Sequence, residues 1–428
     1  MKILSLTAGA AGMYCGSCFR DNALAIELLA QGHDISLVPV YTPTRTEDTN
    51  VSQHQVLFGG LSVYLQHRFA MFRHGPRILD RLWDAPRVID TFAGGAVSND
   101  PRLLGSLTVS MLGGQSGVLR REFEKLMEWT RSQPVPDIVN LPNSLLISMA
   151  GPLRAALARP VCCTLQGEEL FLESLVPPYR DEALALIRRQ VTDVDQFIAV
   201  SDYSARFMSD YLKIPADRMS VVPLGISLSG YRPRERGRDG FTVGYFARVA
   251  PEKGLHLLAD AFIRLAQRVG GAPVRLEAAG YLSANHRPYL DDVRARLAQG
   301  GLAGRFVYHG EVLRERKLDF LSSLDVMSVP AVYDEPKGLS LLEAMASGVP
   351  VVQPRRGAFT EIVERTGGGL LVEPDNPEAL AEGLHALWQD RARRDRLGRD
   401  GAAGVAAHYS IERSAHRLVE VYKAALRN

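Results

Sequence analysis

The sequence predicts an α/β protein of two domains, each a parallel sheet with helices on both faces. Three observations carry this. Short apolar runs recur at intervals filled by amphipathic helical patterns. A stretch rich in Gly, Pro and charge interrupts that rhythm near the middle. The chain has 428 residues, 46% hydrophobic and 23% charged, which is ordinary globular usage for two or three domains and excludes disorder and fibrous repeats.

The first run, KILSLTA, leads through a glycine loop to a helical pattern, DNALAIELLAQ, that closes at Gly32, and the next run, DISLVPVY, follows at βαβ spacing. MKILSLTAGAAGMYC could pass for a short signal peptide, but this spacing makes it a first strand. From about residue 44 to 131 the rhythm gives way to aromatic and arginine-rich helical material, read as an insertion. DIVNLP, RPVCCTL, FIAVS and SVVPLG then restore it. Continuous apolar runs of this kind suit strands covered on both faces.

Ser227 to Gly240 has almost no apolar periodicity and reads as an interdomain linker. Beyond it come FTVGYF, VRLEAAG, FVYHG, VMSVP, VPVVQP and GLLVEP, separated by helices such as HLLADAFIRLAQRV. The expected domains are therefore 1–226 and 241–408, with a last amphipathic helix in 409–428.

Charge and composition exclude several functions. Lysine plus arginine number 50 against 48 acidic residues, with no basic block of the kind that grips nucleic acid. Only seven of the 50 are lysines, so each lysine draws notice. No apolar run approaches the ~18 residues of a membrane span. Four cysteines, two of them adjacent at Cys162 and Cys163, do not make a secreted disulfide framework, and a soluble protein of the reducing cytoplasm is expected.

Open parallel sheets bind ligands beyond the carboxyl ends of their strands. After VMSVP comes AVYDEPKGLSLLEAMASGVPVV, in which Asp334, Glu335, Pro336, Lys337 and Gly338 lead into a helix carrying Glu343. Gly338 and Leu339 open that helix, whose unpaired N–H groups and positive dipole end suit a phosphate. Taken alone, Glu335 could be a helix-capping carboxylate and Glu343 a surface residue.

Two glutamates eight positions apart, within EPKGLSLLEAMASGVPVVQP, resemble the Glu, seven residues, Glu motif of the retaining glycosyltransferases of family 4. That family has the GT-B fold of two facing Rossmann-like domains, its C-terminal helix crossing back to the first. Lys337 stands where the family often has Phe. VGYFARVAPEKGLHLL resembles the family's donor-diphosphate segment, with Arg248 and Lys253 in the cationic positions and Ala247 in place of a common glycine. Two fixed cations there would stabilise the charge gained by a leaving nucleoside diphosphate.

The resemblance further implies that Glu335 acts on the transferred sugar and Glu343 on the ribose, and that the backbone of Val312 contacts the nucleobase. It places Gly16 on the second glycine of a turn after the first strand, with Cys15 on the first. Gln166, in CCTLQGEEL, stands where many members have a histidine near the reaction centre; glutamine hydrogen-bonds but takes no proton near neutral pH. The implied activity is transfer of a hexose, glucose by first choice, from a nucleotide sugar, UDP-linked by first choice, to a small-molecule, lipid or glycan acceptor. Neither a metal nor a further cofactor is implied. A silent nucleotide-sugar or glycan-binding protein, and an epimerase or phosphorylase on the same fold, are the alternatives.

Other signals weigh less. Gly9, Gly12 and Gly16 do not make GxGxxG, and no acid ends ISLVPVY, which disfavours a dinucleotide. Cys15 and Cys18 form a CxxC that could be redox-active or half a zinc site completed by Cys162 and Cys163, a weak signal without a second well-spaced pair. Asp193 and Asp195 spell an acid pair that precedes a strand, where a metal-binding pair would follow one. Segment 62–86 spaces Arg73, Arg77 and Arg81 among Phe69, Phe72, Leu79 and Trp83, a helix that could pack on its own domain, line an acceptor cleft or rest on an anionic membrane.

Overall fold

The computed structural model describes residues 1–9, 16–44, 46, 49–53, 56–58, 101–232 and 240–427. Two compact units result, one formed by Met1–Pro223 with Ser414–Asn428 and the other by Leu224–Arg413.

In the first unit six strands, β1 (Lys2–Thr7), β2 (Asp34–Pro39), β3 (Ile138–Leu141), β4 (Val161–Leu165), β5 (Gln196–Ala199) and β6 (Met219–Val221), form a parallel sheet in the order β2-β1-β3-β4-β5-β6. All five residues of β4 are buried, as a strand covered on both faces requires. The helices Pro101–Leu112 and Arg120–Ser132 bring Met111, Leu112, Phe123 and Leu126 into the core, where the Phe58 and Phe123 rings lie 5.5 Å apart. The second half of the interrupted stretch therefore contributes to the core of this unit. The helix Ile411–Ala425 supplies Tyr422, 1% exposed, and the Ser414 hydroxyl donates to the Pro223 carbonyl at 2.6 Å.

The second unit holds β7 (Phe241–Phe246), β8 (Val274–Ala279), β9 (Phe306–Tyr308), β10 (Val326–Met327), β11 (Val351–Pro354) and β12 (Gly369–Val372), again parallel, in the order β12-β11-β10-β7-β8-β9. Every apolar run read as a strand is one. The break falls at Pro223–Leu224, slightly ahead of the expected 226, because Ile226 bridges Ser410 and so joins the second unit: its N–H donates to Tyr409 and its carbonyl accepts from Ile411, both at 2.9 Å. For the same reason the C-terminal division comes at Arg413–Ser414, later than 409.

Both orders contain a switch point where the chain reverses its direction of travel across the sheet, between β1 and β3 and between β7 and β10. The crevice outside such strand ends is where doubly wound sheets bind ligands. Among the described residues no helix is long and apolar enough to cross a membrane.

Candidate active site

The loops leaving β7 and β10 are tied together. The Val332 N–H donates to the Glu252 carbonyl at 3.0 Å, and a Cβ on Gly254, at φ +74°, would stand 1.9 Å from the Pro330 carbonyl oxygen. Only glycine allows that approach, which sets the turn Pro251–Lys253 against the β10 loop.

Lys253 consequently reaches Glu335. Its ammonium and the Tyr333 hydroxyl both donate to Glu335 Oε2, with Lys253 Nζ 2.5 Å from the Tyr333 oxygen and 4.8 Å from the ring centroid; the Lys337 N–H donates to Oε1 at 3.3 Å. The Glu335 and Lys253 side chains are 10% and 15% exposed. Burial alone would raise the Glu335 carboxyl, but the Lys253 charge and the donated hydrogen bonds outweigh it and hold the group at about 2. Tyr333 is pushed far up, first by burial and then by the carboxylate, while the Arg248 charge opposes that shift. Near neutral pH Glu335 is therefore a carboxylate and Tyr333 a phenol. Such a carboxylate accepts hydrogen bonds and attracts positive charge but has no proton to give. Arg248 lies 3.1 Å from Glu252 with its side chain 44% exposed.

The helix Leu339–Ala346 starts at Gly338, whose φ of +71° strains any residue with a Cβ, while Ile362 Cδ1 would have to give way. The Leu341 and Leu342 N–H groups return to the Gly338 carbonyl, so those ahead of them have no acceptor within the helix. One turn on, Glu343 Oε1 accepts from Lys317 Nζ at 2.8 Å and from the Tyr231 hydroxyl at 3.1 Å. Val312 is buried in the loop before the helix Arg314–Ser322, past the short strand β9.

In the first unit Gln166 follows β4 and is 5% exposed. Its Nε2 donates to the Pro142 carbonyl at 3.0 Å and to Asp21 Oδ1 at 3.3 Å, while its Oε1, buried, has no donor among the described residues. Glu168 braces the loop by accepting from the Gln166 N–H at 2.7 Å and from the Ser144 N–H and hydroxyl at 2.8 and 2.9 Å. Asp21 also pairs with Arg20 at 3.3 Å. Gly16 opens the helix Gly16–Ala30; residues 10–15, with Cys15, lie outside the described residues, as does 62–86 with its arginines.

The weaker candidates have structural duties. Asp195 accepts from the Val161 N–H at 2.8 Å and pairs with Arg154 at 3.1 Å, holding β5 to β4. Cys18, Cys162 and Cys163 are buried, and burial pushes the thiols of the latter two up, the opposite of what a metal ligand needs. Among the described residues no group of three or more His, Cys, Asp or Glu is placed to hold a metal ion.

Spacing alone did not point to Tyr333, Lys317, Tyr231 or Glu168. Lys317 did carry a signal, since it lies three and four residues before the buried Phe320 and Leu321 and thus on the apolar stripe of its helix.

Residues 240–390 match the family described as Glycosyl transferases group 1, and residues 109–229 match Glycosyltransferase Family 4. The lipopolysaccharide core biosynthesis mannosyltransferase LpsB of Rhizobium meliloti is 33% identical over 258 residues, 56% of this chain and 68% of that protein. A D-inositol 3-phosphate glycosyltransferase of Nocardia farcinica is 30% identical over 247 residues, 55% of this chain and 54% of its own length, so the match spans about half of it. Among solved structures, sucrose-phosphate synthase of Thermosynechococcus elongatus shares the fold with a TM-score of 0.71 at 17% identity, over 100% of this chain and 99% of that one. By its two matched segments and its likeness to LpsB, and with the two parallel sheets of the GT-B fold, this chain belongs to glycosyltransferase family 4.

Proposed function

We propose that the protein transfers a hexose from a nucleoside diphosphate sugar to a hydroxyl of a small-molecule, lipid or glycan acceptor, with retention at the anomeric carbon. The observation that carries this is the Lys253–Glu335–Tyr333 cluster at the β7–β10 switch point. Lys253 and Arg248 receive the diphosphate and offset the charge it gains on leaving. The N–H groups at Gly338 and Leu339 add donors beside it. Glu335, ionised, accepts from sugar hydroxyls and favours the positive charge that develops at the anomeric carbon. Glu343 accepts from the ribose hydroxyls, and the Val312 backbone meets the base.

Of the first unit's residues, Gly16 is assigned to donor binding and Gln166 to positioning the reacting groups. With no proton-accepting side chain required, the leaving phosphate oxygen takes the acceptor's proton. The donor is a substrate, and this scheme uses neither a cofactor nor a divalent cation. Buried, unbridged thiols at Cys162 and Cys163 suit a reducing cytoplasm.

UDP-glucose is the first reading of the donor. A mannose donor such as GDP-mannose is the second, favoured because LpsB is named a mannosyltransferase and other relatives are named GDP-mannose-dependent. Incubating the chain with UDP-glucose, UDP-galactose or GDP-mannose and a metabolite extract, and following hexose addition by mass spectrometry, tests both. Addition from one donor selects it. Isomerised donor points to an epimerase, and donor binding without any product to a silent binding protein.

A further inference from the structure

Glu343 is held by two side chains that have no place in the glutamate spacing. Lys317, 3% exposed, lies on the apolar stripe of Arg314–Ser322, and its Nζ stands 2.8 Å from Glu343 Oε1. Tyr231, 112 residues before Glu343, donates its hydroxyl to the same oxygen at 3.1 Å. Arg314 fastens the Tyr231 segment to that helix, donating to the Ser229 carbonyl at 2.6 Å with its guanidinium 6.0 Å from the centroid of the Tyr231 ring. Glu343 Oε2 accepts no hydrogen bond among the described residues.

A lysine is kept this deep only where its charge is paired, and an apolar side chain would fill the same stripe without that burden. Two donors on one oxygen fix the plane of the carboxylate and decide which oxygen is left over. We infer that Lys317 and Tyr231 are positioning residues that turn Glu343 Oε2 toward the ribose hydroxyls and thereby set a preference for ribonucleotides over 2′-deoxyribonucleotides. This rests on the assignment of Glu343 to the ribose.

Calorimetry on the full chain with UDP, GDP and their 2′-deoxy counterparts tests it, with melting temperature recorded for every variant. The unsubstituted protein should bind one ribonucleotide about tenfold or more tighter than its deoxy form, as a hydrogen bond to a charged group implies. Glu343→Gln should bring that ratio near one, and Lys317→Met and Tyr231→Phe should each narrow it severalfold, Tyr231→Phe at an unchanged melting temperature. Lys317→Met added to Glu343→Gln should lower affinity no further, because Lys317 acts through Glu343. A ratio that survives Glu343→Gln, or is absent from the unsubstituted protein, overturns the ribose assignment itself. A ratio lost in Glu343→Gln but intact in both Lys317→Met and Tyr231→Phe overturns the positioning role and leaves that assignment standing. If Lys317→Met does not fold, Tyr231→Phe decides alone, since it removes one hydroxyl and keeps the buried pair.

Discussion

Lys253 and Glu335, 82 residues apart in the chain, meet as a part-buried ion pair whose carboxylate also accepts the Tyr333 hydroxyl. Glu335 therefore stays charged throughout the working pH range, and its charge is the property to remove. Glu335→Gln keeps the shape and should lower kcat by about 10²-fold or more while UDP or GDP affinity changes little, because a negative charge beside the anomeric carbon counts most in the transition state. Steady-state kinetics with calorimetry separates the two effects. Near-normal turnover with weakened nucleotide binding would reassign Glu335 to the nucleotide.

The same pair makes stability depend on pH. Its folded carboxyl titrates at about 2, below the ordinary 4.5, so ionised Glu335 stabilises the second unit above about pH 4.5, and that contribution fades as pH falls toward 2. The full effect is about 3 kcal/mol. Urea unfolding between pH 6 and 3 should show a shallower acid loss for Glu335→Gln than for the unsubstituted chain. Parallel curves would mean that the carboxylate gains nothing from Lys253.

Arg248 separates function from stability. Its contact with Glu252 is exposed enough to be worth no more than about 1 kcal/mol, so Arg248→Ala should shift the melting temperature by only about 2 °C. Turnover should fall about 10²-fold if its charge serves the leaving diphosphate. A variant that melts normally and turns over normally would remove Arg248 from the site.

If Lys253 and Arg248 supply the positive charge, as proposed, chelation should leave the rate unchanged. Activity lost in EDTA and restored by Mn²⁺ would require a cation in the mechanism, and Asp195, occupied by Arg154 and the Val161 N–H, would be a poor place to seek its ligands.

The sheets were legible because parallel strands covered on both faces must be continuously apolar, and the loop glutamates because their spacing is bound to one strand–loop–helix unit. What escaped joins distant parts of the chain. Nothing local to Tyr231 says that its hydroxyl meets Glu343, and Tyr333 reads as an ordinary loop aromatic until the β7 turn brings Lys253 to it. Lys317 was half legible, a scarce lysine on a stripe otherwise apolar, but its partner lies across a helix pair. The domain limits moved by a few residues because the Ile226–Ser410 bridge is a pairing that composition cannot show.

Gln166 puts the proton question most directly. Its Nε2 is committed to Pro142 and Asp21, which fixes the amide and leaves the buried Oε1 as an acceptor without a donor among the described residues. Unpaired buried acceptors are uncommon, and one beside a strand end suits a hydroxyl supplied by a substrate. Glutamine takes no proton near neutral pH, so the rate should not depend on a titration at this position. Gln166→Ala should cut kcat by about 10²-fold with nucleotide affinity nearly unchanged and the acid limb of the pH profile in place. Gln166→His should keep measurable activity, since a ring nitrogen can accept or donate there. Melting curves guard against simple loss of the loop, whose brace at Glu168 contacts the Gln166 backbone and is untouched by either change. An alanine variant that turns over like the unsubstituted enzyme would make Gln166 a structural cap for the turn and return the positioning role to another residue of the first unit.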